Sequence, residues 1–225
     1  MTKNYKVRLI VSFSLLFLAF ICIFTLESIP FKIIFTLFSA FAAFELMSFF
    51  KRKCTLSSTI CAILQLAFLV GGCIFVSKID AVGIILLIFS VCAYDSFAYI
   101  FGNALGGRIF KKSRPFPFVS KNKTWEGTIM GLITSVFFTG AVLLIANSDQ
   151  YIFFAGGILG LIGDLFESFT KRRFDVKDSN EIIIKNRFAA IAEMMVGGSE
   201  GHGGFLDRFD SLTFAGTILL LIPLI

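Results

Sequence analysis

Charge is scarce in this chain. Asp, Glu, Lys and Arg make up 16% of its 225 residues, against about 25% in an ordinary soluble domain. With 56% of the residues hydrophobic, a conventional soluble globule is excluded. Histidine is scarcer still: His202 is the only one. With no second histidine and no cysteine at ligand spacing, a zinc centre is not expected. The five cysteines, Cys22, Cys54, Cys61, Cys73 and Cys92, form no CxxC pair and lie in or beside apolar runs. They read as small buried hydrophobes rather than a disulfide framework. The short alternating segments of an outer-membrane barrel are missing. So is any repeat at a fixed period, which argues against a transporter built from two related halves.

What the chain has instead is apolar length, including thirty phenylalanines. Apolar runs cover residues 9–26, 29–50, 58–76, 81–102, 127–147, 151–166 and 211–225. About 20 apolar residues span a bilayer as a helix. The expected fold is therefore all-α, a polytopic membrane protein with about seven transmembrane helices. The first run is longer than a signal-peptide core and no small-residue cleavage site follows it, so it is expected to be retained. The last two runs are short and are expected to extend into their flanking loops.

The basic residues give this bundle a direction. With the N-terminus cytoplasmic, the inside segments carry 19 of the 21 Lys and Arg residues, leaving only Lys32 and Lys78. The net charge of +6 thus speaks to orientation and anionic lipid rather than to nucleic acid. Residues 1–90 form an N-terminal set of helices. Residues 91–225 form a second region, expected to be catalytic, with cytoplasmic loops at 103–126 and 167–210.

Acids inside apolar runs are costly and need a reason. Glu45, Asp95 and Asp164 are three such acids, and for each the plain alternative is a structural hydrogen bond between helices. Asp164 begins a polar stripe: at helical spacing Asp164, Glu167, Ser168, Lys171 and Asp175 share one face. The densest chemistry lies in "GHGGFLDRFD", residues 201–210. If the last helix starts here, Asp207 and Asp210 point to one side. Paired carboxylates of this kind suit Mg²⁺, which takes oxygen ligands and shares them with substrate phosphates. Gly203 and Gly204 allow close backbone approach, and the helix N-terminus after them attracts anions. Arg208, Lys171, Arg172 and Lys177 offer donors for phosphate oxygens, and Asp178 lies in the same loop. His202 could donate to a phosphate, transfer a proton, or make a purely structural hydrogen bond. The residues alone thus point to a membrane enzyme with a metal-assisted phosphate site on its cytoplasmic side. They do not name the substrate.

The ordered motifs add a substrate by resemblance. "ESFTKRRFDVKDS" and "GHGGFLDRFDSL", with "YDSFAYIFGNALGG", "KTWEG" and "GDL" upstream, resemble the phosphatidate cytidylyltransferases, the CDP-diacylglycerol synthases, from about residue 93 to the end. The resemblance implies that CTP and phosphatidic acid give CDP-diacylglycerol and pyrophosphate with Mg²⁺, to which a second cation could be added. It implies catalytic roles for Asp178, Asp207, Asp210, Lys171, Arg172, Lys177 and His202. Asp178, Asp207 and Asp210 are the implied metal ligands, with Asp164 a supporting member or further ligand. Substrate contacts fall to Ser168, Arg208, Gly203, Gly204, Lys123 and Asp95. It also implies contact with membrane lipid and allows a homodimer, while the compact length and the absence of a transit peptide suggest a multi-pass protein of a bacterial cytoplasmic membrane, its site facing the cytoplasm by the charge bias.

The sequence departs from the family pattern in one long stretch. Seven residues usually separate the Lys-Asp from the histidine, and here there are sixteen more. The extra length, at about 184–199, contains "FAAIAEMMVGG", a short helix by pattern. Added loop length costs little closure entropy, so a tolerated insertion is the simpler reading; an inactive relative is the alternative. Glu200 and Lys121 stand where the family usually has proline, and Asn103 where it often has arginine. The competing enzyme class is another membrane phosphotransferase, whose acid spacing matches poorly.

Overall fold

In a computed structural model of the chain, residues 28–51, 54–111, 114–120, 123–176 and 206–222 are described. The apolar run at 9–26 lies outside them. The described residues form helices and connecting turns without a strand. In chain order they are α1 (Ser28–Ser48), α2 (Leu56–Lys78), α3 (Ala81–Leu105), α4 (Trp125–Ala146), α5 (Gly156–Arg173) and α6 (Leu206–Leu221). Short 3-10 turns at Phe49–Lys51 and Tyr151–Ala155 extend α1 and precede α5. Five of these stretches are long and apolar enough to cross a membrane; α6 is shorter. The protein is a polytopic all-α membrane protein. All six apolar runs that fall in the described residues became helices, and the last two reach further into their loops than the runs themselves.

The helix starts follow from local chemistry. Thr55 and Ser58 form a reciprocal capping box at α2, Asp80 accepts from the Gly83 amide at 2.9 Å to start α3, and Thr124 accepts from Gly127 at 3.1 Å to start α4. Each bond satisfies an amide that the helix itself cannot. α5 ends with the amides of Asp175 and Val176 folding back onto the carbonyls of Arg172 and Lys171. Asp175 takes the left-handed conformation, φ 55°, at this stop. It therefore lies past the helix and not on the polar stripe with Asp164, because the chain reverses two residues earlier than the spacing assumed.

Between helices in a bilayer there is little hydrophobic driving force, so close packing and interhelical hydrogen bonds hold them. α3 packs most extensively on α4, and α2 on α6. At the first crossing a Cβ on Gly127 would sit 2.4 Å from the Ala98 carbonyl, so only glycine permits the approach. Ser135 donates to the Ser90 carbonyl at 2.6 Å, and Thr217 donates to the Phe68 carbonyl at 2.8 Å. A cluster of Ala42, Leu46, Phe49, Ala62, Leu69, Phe174, Val176 and Leu206 closes one end of the bundle. That cluster joins the end of α1, the end of α5 and the start of α6.

Candidate active site

The chain alternates direction, so the ends of α1, α3 and α5 and the starts of α2, α4 and α6 share one end of the bundle. The chemistry collects there. From α5, Asp164, Glu167 and Lys171 recur at helical spacing on one face, and α6 supplies Asp207 and Asp210. Gly163 makes the meeting possible. A Cβ at that position would lie 2.8 Å from Phe214 Cβ, 2.9 Å from Ser211 Cα and 3.2 Å from the Asp210 carbonyl oxygen.

Across this contact, carboxylate oxygens of Asp164, Glu167 and Asp210 all lie within 4.8 Å of one another. Glu167 is 1% exposed and Asp210 3%. Three carboxylates this close, two of them buried and Asp164 half-buried, repel unless a cation or protons intervene. Two lysines supply part of the counter-charge. Lys171 Nζ lies 2.7 Å from Glu167 and 2.5 Å from Asp207, bridging α5 and α6. Lys123, just ahead of the Thr124 cap, forms an ion pair with Asp164 and stands 5.7 Å from the centre of the Tyr94 ring. Burial works against the Lys123 charge, but Asp164, with Tyr94 and Asp95, outweighs it and raises the ammonium above its ordinary value. Asp95 on α3 is exposed, within electrostatic range of Lys123, Asp164 and Asp210.

A hard divalent cation suits this donor set: oxygen atoms only, all anionic, converging from two helices. Asp164, Glu167 and Asp210 could hold such an ion. Of the four acids expected at a metal, Asp164 and Asp210 thus stand together, Asp207 is engaged by Lys171, and Asp178 lies outside the described residues. Glu167 is the member that sequence reasoning left out, although its spacing from Asp164 was available. Ser168 is half-buried on α5; Arg172 is exposed and donates at 3.5 Å to the Val176 carbonyl. Lys177, His202, Gly203 and Gly204 lie outside the described residues, as does the side chain of Arg208.

Two further carboxylates serve the frame. Glu126 Oε1 accepts from the amides of Gly107, Ile109 and Phe110 at 3.0, 3.1 and 3.1 Å, folding the end of α3 onto the start of α4. Glu45 accepts from the Leu206 amide at 2.8 Å. The first free amide of α6, expected to attract a substrate anion, is thus taken by a side chain of the protein.

A helical membrane bundle with a cluster of carboxylates and lysines gathered at one end defines a polytopic membrane protein with a charged site between α5 and α6. Residues 56–185 match the sequence profile of the Cytidylyltransferase family, and the chain belongs to that family. Its relatives include the phosphatidate cytidylyltransferases of Rickettsia felis, 33% identical over 155 residues, and Rickettsia conorii, 34% identical over 154. That of Staphylococcus aureus (strain COL) is 36% identical over 131 residues. These alignments cover 63%, 63% and 56% of this chain. They span 59%, 58% and 42% of the respective relatives, so the chain covers about three fifths of their length or less. The profile match takes in Lys123, Asp164, Glu167 and Lys171; α1 and α6 lie beyond it.

Proposed function

We propose that this chain transfers the cytidylyl group of CTP to phosphatidic acid, giving CDP-diacylglycerol and pyrophosphate. The observation that carries the reading is the convergence of Asp164, Glu167 and Asp210 beside Lys123 and Lys171, in a chain of this family. In the reaction a lipid phosphate oxygen bonds to the α-phosphorus of CTP as the bond to the β-phosphate oxygen breaks. The nucleophile is already an anion, so no strong protein base is needed. The protein's task is to bring two anions together, align them and stabilise the leaving pyrophosphate.

Asp164, Glu167 and Asp210 would hold Mg²⁺, which when bound screens the phosphates and stabilises charge on the leaving group. Lys123 and Lys171 supply fixed positive charge next to it. Lys171 commits two of its three N–H donors to Glu167 and Asp207, which leaves one for a substrate phosphate. Arg172, exposed at the end of α5, is placed to receive the outer phosphates of CTP. Asp95, on the exposed side of α3, borders the same pool of charge. The site opens at the basic end of the bundle. In this reading that end faces the cytoplasm of a bacterial inner membrane, with CTP arriving from water and the lipid from the adjoining leaflet.

The test is a turnover assay on purified protein in detergent or lipid with radiolabelled CTP, phosphatidic acid and Mg²⁺. The expected result is Mg²⁺-dependent CDP-diacylglycerol. Folded protein that makes none above background would overturn the proposal.

A further inference from the structure

Glu45 lies on α1, outside both the matched residues and the motif-bearing half of the chain. It is 6% exposed, and a carboxylate buried among helices is expensive unless it does something specific. Its bond to the Leu206 amide joins residues 161 apart in sequence, at 2.8 Å. The amide it takes belongs to the first residue of α6, where the helix dipole favours negative charge. One turn further on, the Phe209 ring meets the same helix edge-on, 5.4 Å from Phe35 and 5.5 Å from Phe38 between centroids. Asp207 lies between these two attachments and Asp210 directly follows the second.

We infer that Glu45 is a positioning residue for the carboxylate site: with Phe35 and Phe38 it fixes the first turn of α6, and so sets where Asp207 and Asp210 meet α5. The turn is gripped from two sides. Lys171 ties Asp207 to α5, while α1 holds the backbone and Phe209. Glu45 stands apart from the Asp164, Glu167 and Asp210 group and reaches α6 through the Leu206 amide. Its effect passes through the placement of Asp210 against Asp164 and Glu167, for which a shift of a few tenths of an ångström matters, because Mg²⁺ tolerates little departure from octahedral geometry.

The inference rests on the proposed Mg²⁺-dependent reaction, and the test separates the two. Mg²⁺ is titrated against CDP-diacylglycerol formation in wild type, Glu45→Ala, Glu45→Asp and Glu45→Gln, with thermal melting measured alongside. Glu45→Ala should raise the half-activating Mg²⁺ concentration about 10-fold, the usual scale for losing a group that orients a ligand, with the KM for CTP at saturating Mg²⁺ unchanged. Glu45→Asp keeps the charge but falls short of the amide. It should shift in the same direction, and it carries the test if Glu45→Ala does not fold. Glu45→Gln keeps an acceptor oxygen at the same reach and should return close to the wild-type requirement. A merely structural role would lower melting temperature and active fraction and leave the Mg²⁺ requirement unmoved; that outcome in the folded variants overturns the inference alone. A folded wild type without Mg²⁺-dependent turnover removes the proposed function, and this inference with it.

Discussion

Replacing Gly163 with alanine should damage the site without touching a single charged group. The added Cβ would sit 2.8 Å from Phe214 Cβ and 2.9 Å from Ser211 Cα, where ordinary contact begins near 3.4 Å. One of those atoms is backbone, so no rotamer change relieves it; α6 has to back away by about 0.6 Å. Asp210 moves with it, while Asp164 and Glu167 stay on α5. Mg²⁺ ligands sit at about 2.0–2.1 Å, and constellations of this kind tolerate about 0.5 Å of error. The expected outcome is a rise of about 10- to 100-fold in half-activating Mg²⁺, with about 1–3 kcal/mol of stability lost to overpacking. A Mg²⁺ titration of CDP-diacylglycerol formation, with Mn²⁺ binding followed by electron paramagnetic resonance, reads the first effect; thermal melting reads the second. Gly160→Ala is the control, since its Cβ would meet a Val91 methyl group on α3 at 3.0 Å and leave the α5–α6 contact alone. A folded Gly163→Ala protein with the wild-type Mg²⁺ requirement would refute the reasoning that this crossing sets the metal geometry.

Other substitutions sort the acids and the lysines. Asp210→Asn and Glu167→Gln should each cut turnover by at least about 100-fold; near-wild-type rates in both would remove the ligand assignment. Asp207→Asn should cost less and act through Lys171, so the loss should be smaller in Asp207→Asn than in Asp210→Asn at every Mg²⁺ concentration tested. Lys123→Met should destabilise the protein by breaking the Asp164 pair. Because the Lys123 pKa is raised on folding, its contribution is whole below the ordinary lysine value of 10.5 and fades only as pH climbs past it. The melting gap between wild type and Lys123→Met should therefore be constant from pH 6 to 9, and a gap that closed within that range would count against the pair.

Much of this arrangement was legible before any fold was known, because bilayer physics writes helices as long apolar runs and penalises stray charges. Asp164 was visible for that reason, Lys171 through its place on the same helical stripe, and Asp207 and Asp210 through their spacing in "GHGGFLDRFD". What the pattern could not supply was which groups on α5 each acid of α6 meets. That depends on the Gly163 crossing, which turns Asp210 toward Asp164 and Glu167 and leaves Asp207 to Lys171. Glu167 itself sat on the expected stripe and was passed over because two acids on one helix made the more obvious pair. Asp175 was placed on the stripe because nothing local, such as a glycine, marked the end of α5. Glu45 had no signal beyond its cost: its partner is an amide far away in sequence, and amides leave no mark on residue identity.

The same invisibility governs the turn after α3. Glu126 holds it by three backbone N–H groups, so the exposed side chain of Ile109 contributes nothing to that hold, while the Phe110 ring adds a contact with Trp125 at 6.4 Å between centroids. Ile109 can be exchanged for almost any residue at the membrane surface while the turn keeps its shape. Proline is the exception, since it has no N–H to give: at position 109 or 110 it would remove one strand of the sling. At position 109 the side chain can therefore drift freely and only the main chain is under constraint.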